Sequence, residues 1–198
     1  PFAENVGLPT LHWMVTDKTG KAIVIEKTKE GFKVYENKVG VMTNAPSFDW
    51  HITNLRQYMN ATPVQPISAN WSDLELTPLG SATGGIGLPG DFSSPSRFVR
   101  VAFLRAQILM EDIENDGIIE FFHILNNVAM VKGSVITKDG KDEITQYSSC
   151  MNLEKGLYYY KSYNNNQINM LDMHKEDLDG SEMKIFPYND VQVVNLLN

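Results

Sequence analysis

The order of hydrophobic patterns along the chain predicts an α+β fold of mostly antiparallel strands rather than a parallel α/β sheet. Short strand-like runs fill residues 11–44, two amphipathic helical stretches occupy 94–131, and strand-like runs return between 143 and 188. Turn residues separate the runs at hairpin spacing. No internal repeat or low-complexity tract interrupts this order.

The first third reads as four strands, over 11–17, 21–27, 31–37 and 39–44. The Asp17-Lys18-Thr19-Gly20 stretch supplies a hairpin turn. A short helix is predicted next. Ser47 is its expected N-cap, and Phe48, Ile52, Leu55 and Met59 fall at helical spacing on one face. Residues 60–93 then read as one irregular stretch, with prolines at 63, 66, 78 and 89 and glycines at 80, 84, 85, 87 and 90. An irregular run of that length inside a compact domain is usually functional or meets another subunit.

The helix predicted over 94–110 opens with Ser94 as N-cap and Pro95 at the first helical position. Val99, Ala102, Phe103, Ala106 and Met110 form one stripe, while Phe98, Val101 and Ile108 lie off it, so two sides should be covered. A helix over 118–131 carries a single stripe of Ile118, Phe121, Phe122, Leu125 and Val128, with His123 off it at the surface or boundary. The last strands are predicted over 143–152, 156–163, 167–173 and 183–188. The Asn164-Asn165-Asn166 and Asp179-Gly180 stretches supply turns.

Charge narrows the function. The net charge is -7, from 17 basic and 24 acidic residues well mixed along the chain. Binding a phosphate backbone needs clustered Lys and Arg, so no nucleic-acid partner is expected. No basic amphipathic stripe and no apolar run of about 18 residues is present, so no membrane partner is expected either. The single cysteine, Cys150, reads as a small buried hydrophobe. It forms no internal disulfide, which fits a reducing compartment and a cytoplasmic location. The first residues lack the basic start and apolar stretch of a signal peptide and read as loop.

Several apparent motifs dissolve on inspection. Residues 85–90 spell GxGxxG, but a glycine-rich coil precedes them and Pro89 interrupts them, so a tight loop is expected rather than a nucleotide site. His12, His51, His123 and His174 show no metal-ligand spacing, and no metal is expected. Ser93, Ser94 and Ser96 do not sit in a nucleophile elbow.

Two residues break local rules. Asn44 ends an apolar run, where asparagine is disfavoured, and Pro46 keeps Ala45 extended and so constrains where Asn44 points. It reads either as a turn residue or as a rigidly held N–H₂ donor. Strand alternation would put Met42 on its face, as a candidate substrate contact. Arg97 lies in the first turn of a helix, where the dipole disfavours a cation. Asp91 is its structural partner of choice, and Arg100 is the rival functional arginine.

The stretch VGVMTNAPSFDWHITNLRQY at 39–58 and the stretch GGIGLPGDFSSPSRFVRVAF at 84–103 resemble signature regions of the choloylglycine hydrolase family, which includes bile salt hydrolases and penicillin V acylases. The resemblance continues through FFHILNNV, YSSCMNLEKGLYYYKSYNN and INMLDM and covers essentially the whole chain. It implies part of a four-layer αββα N-terminal-nucleophile hydrolase sandwich. In such enzymes an N-terminal cysteine attacks an amide carbonyl, a thioester forms, and water releases the acid, with no metal or organic cofactor. By position, Asn44 matches the asparagine that donates to the oxyanion. Arg97 matches the arginine near the nucleophile, which favours its thiolate. The 70–85 stretch resembles a loop used for assembly into a homotetramer. The WHxTNLRxY wording at 50–58 looks somewhat closer to penicillin V acylases.

The resemblance places the nucleophile, and the acidic residue that follows it, upstream of Pro1. Residues 1–198 are therefore expected to be the C-terminal portion of a single bacterial domain. They should be inactive alone and have a poorly closed core. The substrate would be a small-molecule amide, and the upstream part of the polypeptide the partner that carries the cysteine. The competing class is an inactive binding or assembly module of the same fold. An in-frame Met-Cys start upstream in the gene would separate the two.

Overall fold

The computed structural model describes residues 11–111 and 116–198. The loop-like start read over the first ten residues lies outside them. The chain comprises two compact units, 1–108 and 109–198.

The first unit begins with a three-stranded antiparallel sheet of β1 (His12–Thr16), β2 (Ala22–Thr28) and β3 (Gly31–Glu36) in that order. The turn between β1 and β2 is built as expected. The Asp17 carboxylate accepts from Thr19 N–H at 2.8 Å and from the Thr19 hydroxyl at 2.6 Å, and Gly20 adopts φ +80°. Register pairs Val24 with Met14 on one side and Tyr35 on the other. Val24 is completely buried.

The fourth strand expected over 39–44 does not form. Gly40 turns the chain out of extended geometry with φ +66°. The Asn37 side chain then takes the hydrogen bonds a ladder would have used, accepting from Gly40 N–H at 2.8 Å and donating to the Val41 carbonyl at 3.2 Å. Residues 38–47 are thus held by side chains, with a cis bond between Ala45 and Pro46.

Helix α1 (Phe48–Asn54) runs into a 3-10 turn over Leu55–Tyr58. Ser47 holds the N-cap position, but its hydroxyl donates to Asp49 and satisfies no first-turn N–H. The cap comes from the sheet instead. Both Glu26 carboxylate oxygens accept from Phe48 N–H, at 2.9 and 3.1 Å. The buried residues of α1 are Phe48, His51 and Asn54. Ile52 and Met59, predicted for the same stripe as Phe48, are exposed: within α1 the buried face runs through Phe48, His51 and Asn54 instead of Ile52, and the shift to 3-10 winding rotates the face that follows, which carries Met59.

The stretch 60–93 is not wholly irregular. It contains an exposed hairpin, β4 (Ala69–Trp71) with β5 (Leu74–Leu76). The glycine-rich loop closes tightly, with Gly85 N–H donating to Thr62 O at 2.7 Å and φ values of +75° at Gly85 and +88° at Gly87. A Cβ at Gly84 would lie 2.0 Å from the Pro63 carbonyl oxygen, so only glycine fits.

Helix α2 (Ser94–Gln107) has its cap one residue earlier than expected and ends three residues early. The cap is Ser93, whose side chain accepts from Ser96 N–H. Phe98 and Val99 are fully buried and Ala102 nearly so. Phe98 and Ala102 make the core with Val24, Val41 and Phe48, and Tyr35, Val39, Met42, Leu55 and Val101 pack around it. Phe98 meets Phe48 edge-on at 6.3 Å and stacks on His51 at 4.6 Å.

In the second unit, helix α3 (Asp116–Asn126) packs beside an antiparallel sheet of β6 (Tyr147–Asn152), β7 (Leu157–Ser162) and β8 (Asn169–Asp172). The helix stops at Asn126, short of the predicted 131, and of its expected stripe only Phe122 is buried. His123 is exposed, as read from the sequence. The asparagine turn joins β7 to β8, with fully buried Asn165 accepting from Gln167 N–H at 3.0 Å. Residues 183–188 form no strand. Pro187 lacks an N–H for a ladder, and Tyr188 stacks on Tyr160 instead, with ring centroids 5.9 Å apart. Among the described residues no helix is long and apolar enough to cross a membrane.

Phe98→Ala should therefore cost about 3–5 kcal/mol of stability, the usual range for emptying a buried aromatic site. Chemical denaturation checks this, and a loss below about 1 kcal/mol would show that the core does not depend on that ring.

Candidate functional site

The two residues that break local rules in the sequence meet. Arg97 Nη2 donates to Asn44 Oδ1 at 2.6 Å. A guanidinium has donors only, so the atom facing it must be the amide oxygen of Asn44. That assignment turns the Asn44 N–H₂ group away from Arg97. Asn44 itself is exposed, and its N–H₂ end meets no partner among the described residues.

Arg97 is held in place by a second bond, from Nε to the Phe92 carbonyl at 3.0 Å. Both of its acceptors are neutral. Among the described residues no carboxylate pairs with it, although its side chain is half-buried. Burial, and then the neighbouring Arg100, push its pKa down, the direction expected of an uncompensated cation. Arginine stays charged regardless, so the site keeps an unneutralised positive charge beside an outward-facing amide donor.

Asp91, the expected partner of Arg97, is occupied elsewhere. Its carboxylate accepts from Ser93 N–H at 2.8 Å and from the Ser96 hydroxyl at 2.6 Å. The Ser93 and Ser96 side chains, with the Ser93 N–H, hold its carboxyl far below the usual carboxylate range. Arg100 ties the loop to the helix by donating to the Pro89 and Asp91 carbonyls at 2.8 and 2.7 Å. These contacts fix where α2 starts and hence where Arg97 stands.

Met42 is half-buried and packs on the core. It does not line the open cavity of about 320 Å³ beside Asn44, which is walled by residues 44–47 on one side and 26–28 on the other. Cys150 lies in β6, half-buried, and burial pushes its thiol pKa up, opposite to an activated nucleophile. No cluster of three or more His, Cys, Asp or Glu among the described residues could hold a metal ion. The sequence reading missed His51, which is almost fully buried against Phe98 and within hydrogen-bond reach of the Asn44 main chain. Its three-residue spacing from Phe48 was the available signal.

Solved structures identify the fold. Two crystal structures of conjugated bile acid hydrolase from Clostridium perfringens, a cysteine-to-alanine mutant and an arginine-to-leucine variant, each match with a TM-score of 0.87 and 53% identity. They cover 100% of this chain and 60% of theirs. Penicillin V acylase from Agrobacterium tumefaciens matches at 0.63 over 84% of this chain and 46% of its own, and at 22% identity it speaks for the fold alone. The α+β fold is thus that of the N-terminal-nucleophile amide hydrolases. The chain belongs to the choloylglycine hydrolase family of linear amide C–N hydrolases, whose family model matches residues 3–186.

Among curated relatives, the bile salt hydrolase/transferase of Clostridium perfringens is 54% identical over the whole chain and 60% of its own length. That of Lactiplantibacillus plantarum is 44% identical over 94% of this chain and 57% of its own. The chain therefore spans somewhat less than two thirds of the length of these relatives.

The Asp91 geometry gives a pH prediction. Its pKa is depressed on folding from an ordinary value of 3.8, so its contribution is present above that value and lost as pH falls below it. Asp91→Asn should lower the melting temperature at neutral pH, and the gap to the parent should close as melts are taken from about pH 5 to about pH 2. A gap that stays constant over that range would mean the carboxylate does not hold the helix start.

Proposed function

We propose that residues 1–198 supply the oxyanion-stabilising half of an amide hydrolase that cleaves conjugated bile salts. The nucleophile is a cysteine outside these residues. The observation that carries this reading is the 2.6 Å bond from Arg97 Nη2 to Asn44 Oδ1. It aims an amide N–H₂ outward beside a cation that no carboxylate among the described residues neutralises, which suits negative charge developing on a carbonyl oxygen.

In this mechanism a thiolate attacks the amide carbon, and the carbonyl electrons move to oxygen. The Asn44 Nδ2–H₂ group donates to that oxygen. Collapse expels glycine or taurine and leaves a thioester, which water cleaves to free the acid. The nucleophile's own α-amine carries the protons. Arg97 both orients Asn44 and favours the thiolate through its charge. A thioester also yields to an amine in place of water, which suits the hydrolase/transferase names of the relatives. Bile salts are preferred over penicillin V because the curated relatives at 37–54% identity that carry a functional name are named for bile salts or bile acids, whereas the acylase match supports only the fold.

In the full-length polypeptide, Asn44→Ala should lower kcat by about 10²–10³ and change KM little, since the donor acts on charge present only in the transition state. Asn44→Asp should be at least as damaging, and Arg97→Ala should also impair turnover. A folded Asn44→Ala protein with normal kcat on a glycine-conjugated bile acid reduces Asn44 to a turn residue.

We also assign residues 70–85 to assembly of a homotetramer. The β4–β5 hairpin in this stretch exposes Trp71 and Leu74, at 74% and 62%, and Leu79 beyond it is fully exposed. Deleting 70–85 should reduce the sedimenting species to smaller forms. An unchanged tetramer removes the role.

A further inference from the structure

Asn44 is gripped through its main chain as well as its side chain. Its carbonyl oxygen lies 2.9 Å from His51 Nε2 and 2.8 Å from Ser94 Oγ. A carbonyl only accepts, so the imidazole proton sits on Nε2. The other ring nitrogen, Nδ1, is buried without a hydrogen-bond partner among the described residues.

The donor ring is fixed. His51 is 2% exposed and stacks on Phe98 with 4.6 Å between centroids and 9° between planes, and Phe98 is itself completely buried. Ser94 reaches the same oxygen from the first turn of α2. The Thr43 hydroxyl links the two segments, 2.9 Å from Ser94 Oγ and donating to the Ser94 carbonyl at 3.2 Å.

This grip matters because residues 38–47 belong to no sheet. No strand ladder holds the peptide that follows Asn44, so its orientation depends on side-chain donors. An amide donor must be aimed to within roughly 0.5 Å and 10–20° to serve a transition state. A bond from Arg97 to the side-chain oxygen fixes one end of the residue, and the other end is fixed at the main chain.

We propose that His51 is a positioning residue for Asn44. With Ser94 it holds the Asn44 main-chain carbonyl so that the side-chain N–H₂ stays on target. His51 does not line the cavity beside Asn44 and acts only through it. The proposal rests on Asn44 being the oxyanion donor.

The test measures kcat and KM on a glycine-conjugated bile acid, with melting temperatures, in the full-length polypeptide carrying His51→Phe, His51→Gln, Ser94→Ala or Asn44→Ala, and in doubles with Asn44→Ala. His51→Phe keeps a ring against Phe98 but donates nothing, and should lower kcat about 10–100-fold with KM nearly constant. His51→Gln, whose amide N–H reaches the same carbonyl, should recover most of the loss. In the Asn44→Ala background His51→Phe should cost nothing further, because both act through one group.

Unchanged kcat in His51→Phe, or a full additional loss on top of Asn44→Ala, overturns the proposal. If His51→Phe does not fold, Ser94→Ala decides: a lower kcat that disappears in the Asn44→Ala background supports the grip, and an unchanged kcat sinks it. Normal kcat in Asn44→Ala itself, or no turnover by the parent, removes the oxyanion reading and the grip with it. A loss in Asn44→Ala alone removes only the grip.

Discussion

Burial of Phe98 sets the positions on which the rest of the first unit depends. Its ring lies in the core against Phe48 and stacks on the His51 imidazole. Ser94 and Arg97 flank it on the same helix, and both reach Asn44. With that ring buried, the donors on the first turns of α2 face the segment 38–47. The dipole of α2 disfavours Arg97, yet the Phe92 carbonyl and the Asn44 amide hold it there. The uncompensated charge is a local cost of the kind that functional sites carry.

The loop before the helix works to the same end by different means. Asp91 gathers Ser93 and Ser96, while Arg100 returns to the carbonyls of Pro89 and Asp91. The glycines at 84, 85 and 87 let this loop fold back onto residues 62 and 63. Arrangements that look like a phosphate cradle in the sequence are, in three dimensions, the means of fixing a helix start.

Much of this was legible in the sequence, and the gaps have physical causes. The antiparallel strands of both units, the turns at 17–20 and 164–166 and helix α2 follow from periodicity and turn chemistry. Asn44 and Arg97 stand out because each offends a local preference. Tertiary context overrode the rest. An asparagine side chain at 37 captured backbone groups of Gly40 and Val41, and the strand expected over 39–44 did not form. A carboxylate from β2 took over the capping that Ser47 was expected to provide. The short hairpin of β4 and β5 has too few residues to show periodicity. His51 gave little warning, since a buried polar residue on a short helix resembles a solvent-facing one until its partners are known.

At position 44 folding and chemistry favour different residues. Opposite a half-buried guanidinium with no other counter-ion among the described residues, a carboxylate would form an ion pair, a stronger bond than one to a neutral amide oxygen. Under the oxyanion role proposed for Asn44, the same carboxylate would place acceptors where a donor is required. On that proposal the amide at this position trades stability for activity. A procedure that redesigned this chain for thermal robustness alone would select aspartate there, and would produce a firmer protein without the group that the proposed chemistry needs.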